Sequence, residues 1–219
     1  MIHALLIDAG GVLFNNITEE TSFVPELARR YAVDAERLLR AVQAAAPGYE
    51  RGDRGVHDVL RRLLAEAGSP RAGAYDPDGV DRLYADSVRC HDANVAELAA
   101  VARDHPELTL VLANNEAEHW DHLKNERHHH YGLFDHLCSS WRVGRVKPSA
   151  AYFAAVLEHC GAAAHEALMV DDRAAVVAAA RALGLRTLHV TSPPVLRADL
   201  RATVERLTRD ASRQGIRTR

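Results

Sequence analysis

The amino-acid sequence predicts an α/β fold: a mostly parallel sheet with helices on both faces, interrupted near its start by an inserted helical block. Three observations carry that prediction. A short apolar run, Ala4-Leu5-Leu6-Ile7, stops abruptly at Asp8, and the glycines Gly10 and Gly11 follow. Some eighty residues of helical pattern come next, with no strand signal among them. From Leu108 onward apolar strands and helical stretches alternate, the rhythm of βαβ units.

The unbroken apolar character of Ala4–Ile7 suits a strand buried on both faces. Asp8 stands where that strand ends. In open α/β sheets ligands bind just outside the carboxyl ends of strands, and glycines there let the backbone approach a ligand. The plainer reading is a tight turn with Asp8 as a turn-forming residue. In the inserted block Leu27 and Tyr31, then Leu38, Leu39 and Val42, then Val59, Leu60, Leu63 and Leu64 recur at helical spacing. Breakers punctuate them at Pro47-Gly48, Gly52, Gly55, Gly68-Ser69-Pro70 and Pro77-Asp78-Gly79.

A helix around Val95–Val101 leads through Asp104-His105-Pro106 into a strand at Leu108–Leu112. Helical pattern follows Glu116, and a short strand surrounds Leu137–Ser139. Pro148 suits the first turn of a helix running to Cys160. The strand Ala167–Val170 ends at Asp171-Asp172, and an alanine-rich helix then runs to Leu183 and stops at Gly184. A last strand is expected at Arg186–Val190. The arginine-rich tail from Val195 reads as one amphipathic surface helix with a solvated basic face and a frayed end. The expected limits are therefore a sheet domain over 1–14 and 97–219, and a helical insertion over 15–96.

Composition narrows the function. A formal net charge of −3 argues against a surface for nucleic acid or anionic membrane. No stretch has the roughly 18 consecutive apolar residues of a membrane span, and no signal-peptide pattern opens the chain. Cys90, Cys138 and Cys160 are odd in number and in no metal-type spacing, so reduced thiols and a cytoplasmic location are expected. Lysine occurs only at Lys124 and Lys147. Arg127-His128-His129-His130 reads as a mobile polar loop, since adjacent side chains do not all face one ion. Arg29, Arg30, Arg51 and Arg54 suit an anionic substrate, though exposed arginines are the default. Oligomeric state is not legible.

The predicted strand ends form a constellation. Asp8 follows the first strand, Ala113-Asn114-Asn115 the second, and Asp171-Asp172 a later one, while Lys147 precedes a helix. In a parallel sheet these ends share one edge. Clustered acids repel unless a cation joins them, and oxygen-rich sites with few protein ligands suit Mg²⁺, which keeps waters and accepts phosphate oxygens. A lysine nearby is a point charge for phosphate. Metal-assisted phosphoryl chemistry is the expectation from these residues alone.

The same segments resemble the motifs of the haloacid dehalogenase (HAD) superfamily with a helical cap, in order and over nearly the whole chain. Asp8-Ala9-Gly10-Gly11-Val12 matches its first motif, of the D-x-G-G/N-V branch that includes sugar-phosphate phosphatases and epoxide-hydrolase N-terminal domains. Leu110–Asn114, Gly144–Pro148 and Val170–Asp172 match the next three, and Tyr49–Asp53 is similar to a cap segment of that branch. The resemblance implies a Rossmann-like core and a phosphatase that acts through an aspartyl-phosphate on a small phosphorylated metabolite with a good leaving group, such as a sugar 1-phosphate. Asp8 would be the nucleophile and Lys147 its electrostatic partner. Mg²⁺ would be held by Asp8, the Gly10 carbonyl, Asp171 and Asp172. Gly10, Gly11, Ala113, Asn114, Asn115 and Asn15 would meet the substrate, and the cap would close over the site.

Two departures qualify that implication. Gly10 stands where most phosphatases of the family carry a second Asp, the general acid, and Ala113 stands where a Ser or Thr hydroxyl binds the phosphoryl group. General acid–base catalysis is worth about 10²–10⁴-fold, and a hydrogen bond to a charged group about 1.5–3 kcal/mol. Asn15, Asn16 or a histidine is expected to replace the acid, and His119 and Trp120 to face the cap or the pocket. The alternatives are a degenerate relative that binds a ligand or partner without turnover, suggested by Ala113, Ala175 and Val176, and a metal-independent 2-haloacid dehalogenase.

Overall fold

The computed structural model describes residues 1–214 of the 219. Its centre is a five-stranded parallel sheet of β1 (Ala4–Ile7), β2 (Thr109–Leu112), β3 (His136–Leu137), β4 (Ala167–Asp171) and β5 (Arg186–His189), in the order β3-β2-β1-β4-β5. The order reverses at β1, so the crevice at its carboxyl end is the topological switch point where ligands of open α/β sheets bind. Successive strand residues face opposite ways. Leu5 and Ile7 join one apolar cluster with Leu110, Leu112, Leu168 and Val170. Ala4 and Leu6 join a second with Val111, Met169, Tyr152 and Phe153.

Helices cover both faces. On the second cluster lie α9 (Ala150–Cys160) and α10 (Ala174–Ala182), the latter followed by Gly184 at φ +90°. Pro148 is not in the first turn of α9 as expected. Ser149 caps the helix by accepting from the Tyr152 N–H, which leaves Pro148 one residue before the cap. On the first cluster lie α6 (Asp92–Asp104) and α11 (Pro193–Gln214). The tail is the expected amphipathic helix, docked by its apolar stripe of Leu196, Leu200, Val204 and Leu207, but its basic face is not wholly solvated: Arg201 pairs with Glu97 and Asp104, and Arg197 donates to Asn94. The expected frayed end falls in part on residues 215–219, outside the described residues.

The insertion contains α1 (Ile17–Glu20), α2 (Phe23–Tyr31), α3 (Ala35–Glu50), α4 (Val56–Glu66) and α5 (Pro77–Ser87). Pro47-Gly48 was expected to break a helix, but α3 runs through it. Proline deprives only the Gln43 carbonyl of its partner, and that loss falls in the last turn, beside a cavity that both residues line. The chain leaves and re-enters the sheet domain through two paired segments: Asn15 N–H bonds to the Arg89 carbonyl and His91 N–H to that of Leu13. Beyond β2, α7 (Glu118–His128) carries Trp120 against the insertion, stacked on Tyr84 at 4.4 Å and edge-on to Phe23 at 5.5 Å. A short helix, α8 (Ser140–Val143), precedes Lys147.

The histidine run is not a polar loop. His128 ends α7 and His130 is buried, both rings resting on Phe14 at 5.2 and 5.1 Å. Burial, helped by the Lys124 charge, lowers the His130 pKa to about 4, so that ring is neutral. Among the described residues no helix is long and apolar enough to cross a membrane, and all three cysteines are free thiols.

Candidate active site

Asp8, Asp171 and Asp172 converge at the carboxyl ends of β1 and β4, with carboxylate oxygens within 4.8 Å of one another. Lys147 enters from the loop after α8, its Nζ 2.9 Å from Asp8 Oδ1 and 2.6 Å from Asp171 Oδ2. Asp8, Lys147 and Asp171 are buried. Three carboxylates against one ammonium leave an excess of negative charge away from water. Its effect is legible in Asp8, whose pKa rises to about 8: burial contributes most, Lys147 opposes it, and Asp171 and Asp172 add to it. Burial pushes Lys147 down, yet Asp171 and Asp8 together outweigh it and hold the ammonium charged.

A divalent cation fits this set. All the donors are carboxylate oxygens, the surplus charge is negative, and Asp172 Oδ1 is buried without a hydrogen-bond partner. Mg²⁺ favours such hard, oxygen-only surroundings.

The glycines are required by this packing. Gly11 has φ +66°, and a Cβ there would lie 2.2 Å from Asp172 Oδ2. A Cβ on Gly10 would meet only the side chain of Asn16, at 2.7 Å. Gly11 thus makes room for a carboxylate rather than meeting a substrate; it does not line the cavity above the acids.

The structure redistributes several expected substrate contacts. Asn15 is tied to the return segment, donating to the Ser87 carbonyl and accepting from Arg89 N–H, although it lines the cavity. Asn16 is the one of the pair that reaches the acids, donating to Asp172 Oδ2 at 2.7 Å. Asn115 binds the backbone of Lys147 on both sides of its amide. Asn114 lines the cavity, but its Nδ2 is directed to Asp121 at 3.4 Å. Asp121 is buried and also accepts from Ser139 and Trp141. Ala113 offers no donor: its methyl is in the second apolar cluster and its N–H bonds to the Ile7 carbonyl.

A cavity of about 470 Å³ lies between the acids and the insertion. Asp8, Gly10, Asn114 and Lys147 form its floor, and Ile17, Val42, Tyr49, Tyr84, Trp120 and Val176 much of its wall. Five charged groups on that wall, Glu19, Glu50, Glu116, Lys124 and Arg173, were not among the expected site residues. Glu116 accepts from Lys124 at 2.6 Å and from Tyr84 at 3.1 Å. Arg173 is held by Glu19. Glu50 reaches the cavity from the end of α3, and its pKa rises to about 7, through burial first and the nearby Glu116 second, with Arg173 and Lys147 opposing. The arginines singled out from sequence are not there. Arg29 pairs with Glu26 and Arg51 with Asp53, both at the surface.

A doubly wound parallel sheet with an acid-rich pocket at its switch point, roofed by a helical insertion, defines an α/β protein with a candidate active site at the strand ends. The chain belongs to the haloacid dehalogenase-like hydrolases, whose family model matches residues 2–184. It is similar to the sesquiterpene phosphatase astK of Aspergillus oryzae, 25% identical over 205 residues, which is 92% of this chain and 96% of the fungal protein. Among solved structures it resembles a HAD family enzyme of Bacteroides thetaiotaomicron in complex with magnesium and inorganic phosphate, at a TM-score of 0.59 and 20% identity, over 86% of this chain and 94% of that one. It also resembles L-2-haloacid dehalogenase of Xanthobacter autotrophicus with chloropropionic acid covalently bound, at 0.60 and 19%, over 86% of this chain and 77% of that one. The two structural likenesses establish the fold.

Proposed function

We propose that the protein is a Mg²⁺-dependent phosphomonoester hydrolase that works through an aspartyl-phosphate on Asp8. The observation that carries this reading is the convergence of Asp8, Asp171, Asp172 and Lys147 on one buried point below a cavity. Asp8, Asp171 and Asp172, with the Gly10 carbonyl, would hold Mg²⁺, which supplies neutralising charge for phosphoryl oxygens. A carboxylate with a pKa near 8 is a poor nucleophile at neutral pH because much of it is protonated. Positive charge beside it restores the ionised form, and Lys147 already contributes part of that charge.

An Asp8 carboxylate oxygen attacks phosphorus as the bond to the leaving alkoxide breaks. Glu50, protonated up to about pH 7, delivers its proton to the leaving oxygen from the insertion. Water then attacks phosphorus, Glu50 takes the water's proton, and the P–O bond to Asp8 breaks to free phosphate and return the carboxylate. Glu50 thus does the work of the acid absent at position 10. The helical insertion acts as a cap that excludes water during these steps.

The wall of Val42, Tyr49, Tyr84 and Trp120 favours a substrate with an apolar body, and the similarity to a sesquiterpene phosphatase points the same way. We place such phosphates, isoprenoid ones included, ahead of the sugar 1-phosphates expected from the sequence. The test is phosphate release from prenyl phosphates, sugar 1- and 6-phosphates, nucleotides and acyl phosphates, with Mg²⁺ and with EDTA. Turnover that requires Mg²⁺ and vanishes in Asp8→Asn supports the proposal; chelator-resistant release of halide from a 2-haloacid overturns it. The second reading, binding without turnover, rests on Ala113, which offers phosphate no hydroxyl. Thermal stabilisation by a phosphorylated ligand, with no phosphate released on long incubation, selects it.

A further inference from the structure

We propose that His57, Asp81 and His119 form a binding site for a divalent transition-metal ion of the Zn²⁺ class, which ties the helical insertion to the sheet domain. His57 is on α4 and Asp81 on α5, both in the insertion, whereas His119 is on α7, which follows β2. One donor atom from each lies within 4.8 Å of the others. His57 Nε2 is 3.1 Å from Asp81 Oδ1, and His119 Nε2 is 2.7 Å from Asp81 Oδ2. Donors around a tetrahedral zinc with bonds of about 2.0–2.1 Å stand roughly 3.3 Å apart, inside the 4.8 Å within which these three donor atoms already lie.

Two further observations point to a ligand. His57 Nε2 and Asp81 Oδ1 are both buried and stand 3.1 Å apart, and no other group satisfies either of them. A cation between them would satisfy both. In addition, the Tyr75 hydroxyl lies 2.8 Å from His57 Nδ1. That is the outer hydrogen bond that orients a ligating imidazole and fixes its tautomer. The His119 side chain is half exposed, which leaves the remaining coordination position to water.

Two imidazoles and one carboxylate favour zinc, nickel or copper over magnesium, in contrast to the oxygen-only set at Asp8. The ion would clamp α7, which carries Trp120 of the cavity wall, to the two helices above it. Opening of the insertion would then cost the breaking of a metal–ligand bond.

The test is calorimetric titration of the full chain with Zn²⁺ in excess Mg²⁺, which keeps the acid cluster out of competition. One saturable equivalent is expected at micromolar Zn²⁺ for the native chain. His119→Ala should weaken it by more than the ~10–100-fold that loss of an outer partner costs, and Tyr75→Phe by about that amount. His129→Ala, exposed in the other histidine cluster, should leave it unchanged. Zn²⁺ should raise the melting temperature of the native chain and not that of His119→Ala, and the two should melt alike in EDTA because His119 is at the surface. Undiminished binding in His119→Ala, a thiolate charge-transfer band on Co²⁺ loading, or no saturable binding overturns the site. None of these outcomes touches phosphate release by Asp8, which the Mg²⁺ panel decides separately.

Discussion

The side-chain amide of Asn115 makes both of its hydrogen bonds to one residue: its nitrogen donates to the Lys147 carbonyl at 3.1 Å and its oxygen accepts from the Lys147 N–H at 2.9 Å. Lys147 belongs to a loop, and its ammonium must stand within hydrogen-bond reach of both Asp8 and Asp171. Asn115, just beyond β2, fixes that loop to the sheet. Asn115→Ala is expected to lower kcat by ~10²-fold, the scale of a misplacement of about 1 Å, with little change in KM. Asn115→Asp, which keeps the acceptor and loses the donor, should fall between. Steady-state phosphate release checks both, and equal kcat in Asn115→Ala and the native protein would remove the positioning role.

The acid cluster makes metal-free stability pH-dependent in a defined direction. Folding raises the Asp8 pKa from its ordinary 3.8 to about 8, so the folded state binds this proton more tightly than the unfolded chain. The associated stability is complete below the lower value and is lost as pH rises through the upper one. In EDTA the melting temperature should therefore fall between pH 5 and pH 8, and Mg²⁺ should restore most of it at the alkaline end. Asp8→Asn, which cannot ionise, should melt higher than the native chain at pH 8 without metal while releasing no phosphate. A native melting temperature that rises with pH across that range contradicts the cluster's charge balance.

Gly11 and Gly10 look alike in sequence and differ in what surrounds them. A methyl on Gly11 would enter the Asp172 carboxylate and sit on a left-handed backbone that costs an L-residue roughly 1–2 kcal/mol before any clash. Gly11→Ala should thus destabilise the protein by at least that amount in urea and weaken Mg²⁺ binding, because Asp172 must move. Gly10→Ala displaces only the end of the Asn16 side chain and should keep native stability within about 0.5 kcal/mol.

Most of the sheet was legible because its signals are local. Apolar runs ending in Asp8 and in Asp171-Asp172 mark buried strands, and strands joined by helices run parallel, which brings those acids to one edge. The roles of Asn15 and Asn16 were not separable, since adjacent residues past a strand end point different ways and only the return of the chain at Arg89 decides which amide is occupied. Burial of His130 depends on Phe14, more than a hundred residues away in the chain. The helix through Pro47 was missed because a proline near a helix end removes one hydrogen bond that tertiary packing easily outweighs. Glu50 lies in the Tyr49–Asp53 segment that resembles a cap motif, but no residue pattern assigned it a role of its own, because a carboxylate on an amphipathic helix is ordinarily a solvated one. Its meaning arises only when α3 folds back over the strand ends.

In the proposed mechanism Glu50 takes the part of the acid absent at position 10, and that role makes the sharpest prediction. A proton donor is needed most for alkoxides that leave badly, so Glu50→Gln should reduce kcat/KM by about 10²–10⁴-fold for a prenyl or other alkyl phosphate. For p-nitrophenyl phosphate, whose leaving group needs no proton, the first step should lose far less. The pH profile adds an independent readout. Glu50 must be protonated to donate, so native kcat/KM with an alkyl phosphate should decline above about pH 7, and this limb should disappear in Glu50→Gln. Gly10→Asp in that background puts a carboxyl two residues after Asp8, at a position where a Cβ meets only the Asn16 side chain, and should recover part of the alkyl phosphate activity. Equal losses for alkyl and p-nitrophenyl phosphates would make Glu50 a structural or binding group instead, and the donor would then have to be sought among the other polar groups of the wall, with Glu116 and its partner Lys124 the first to replace.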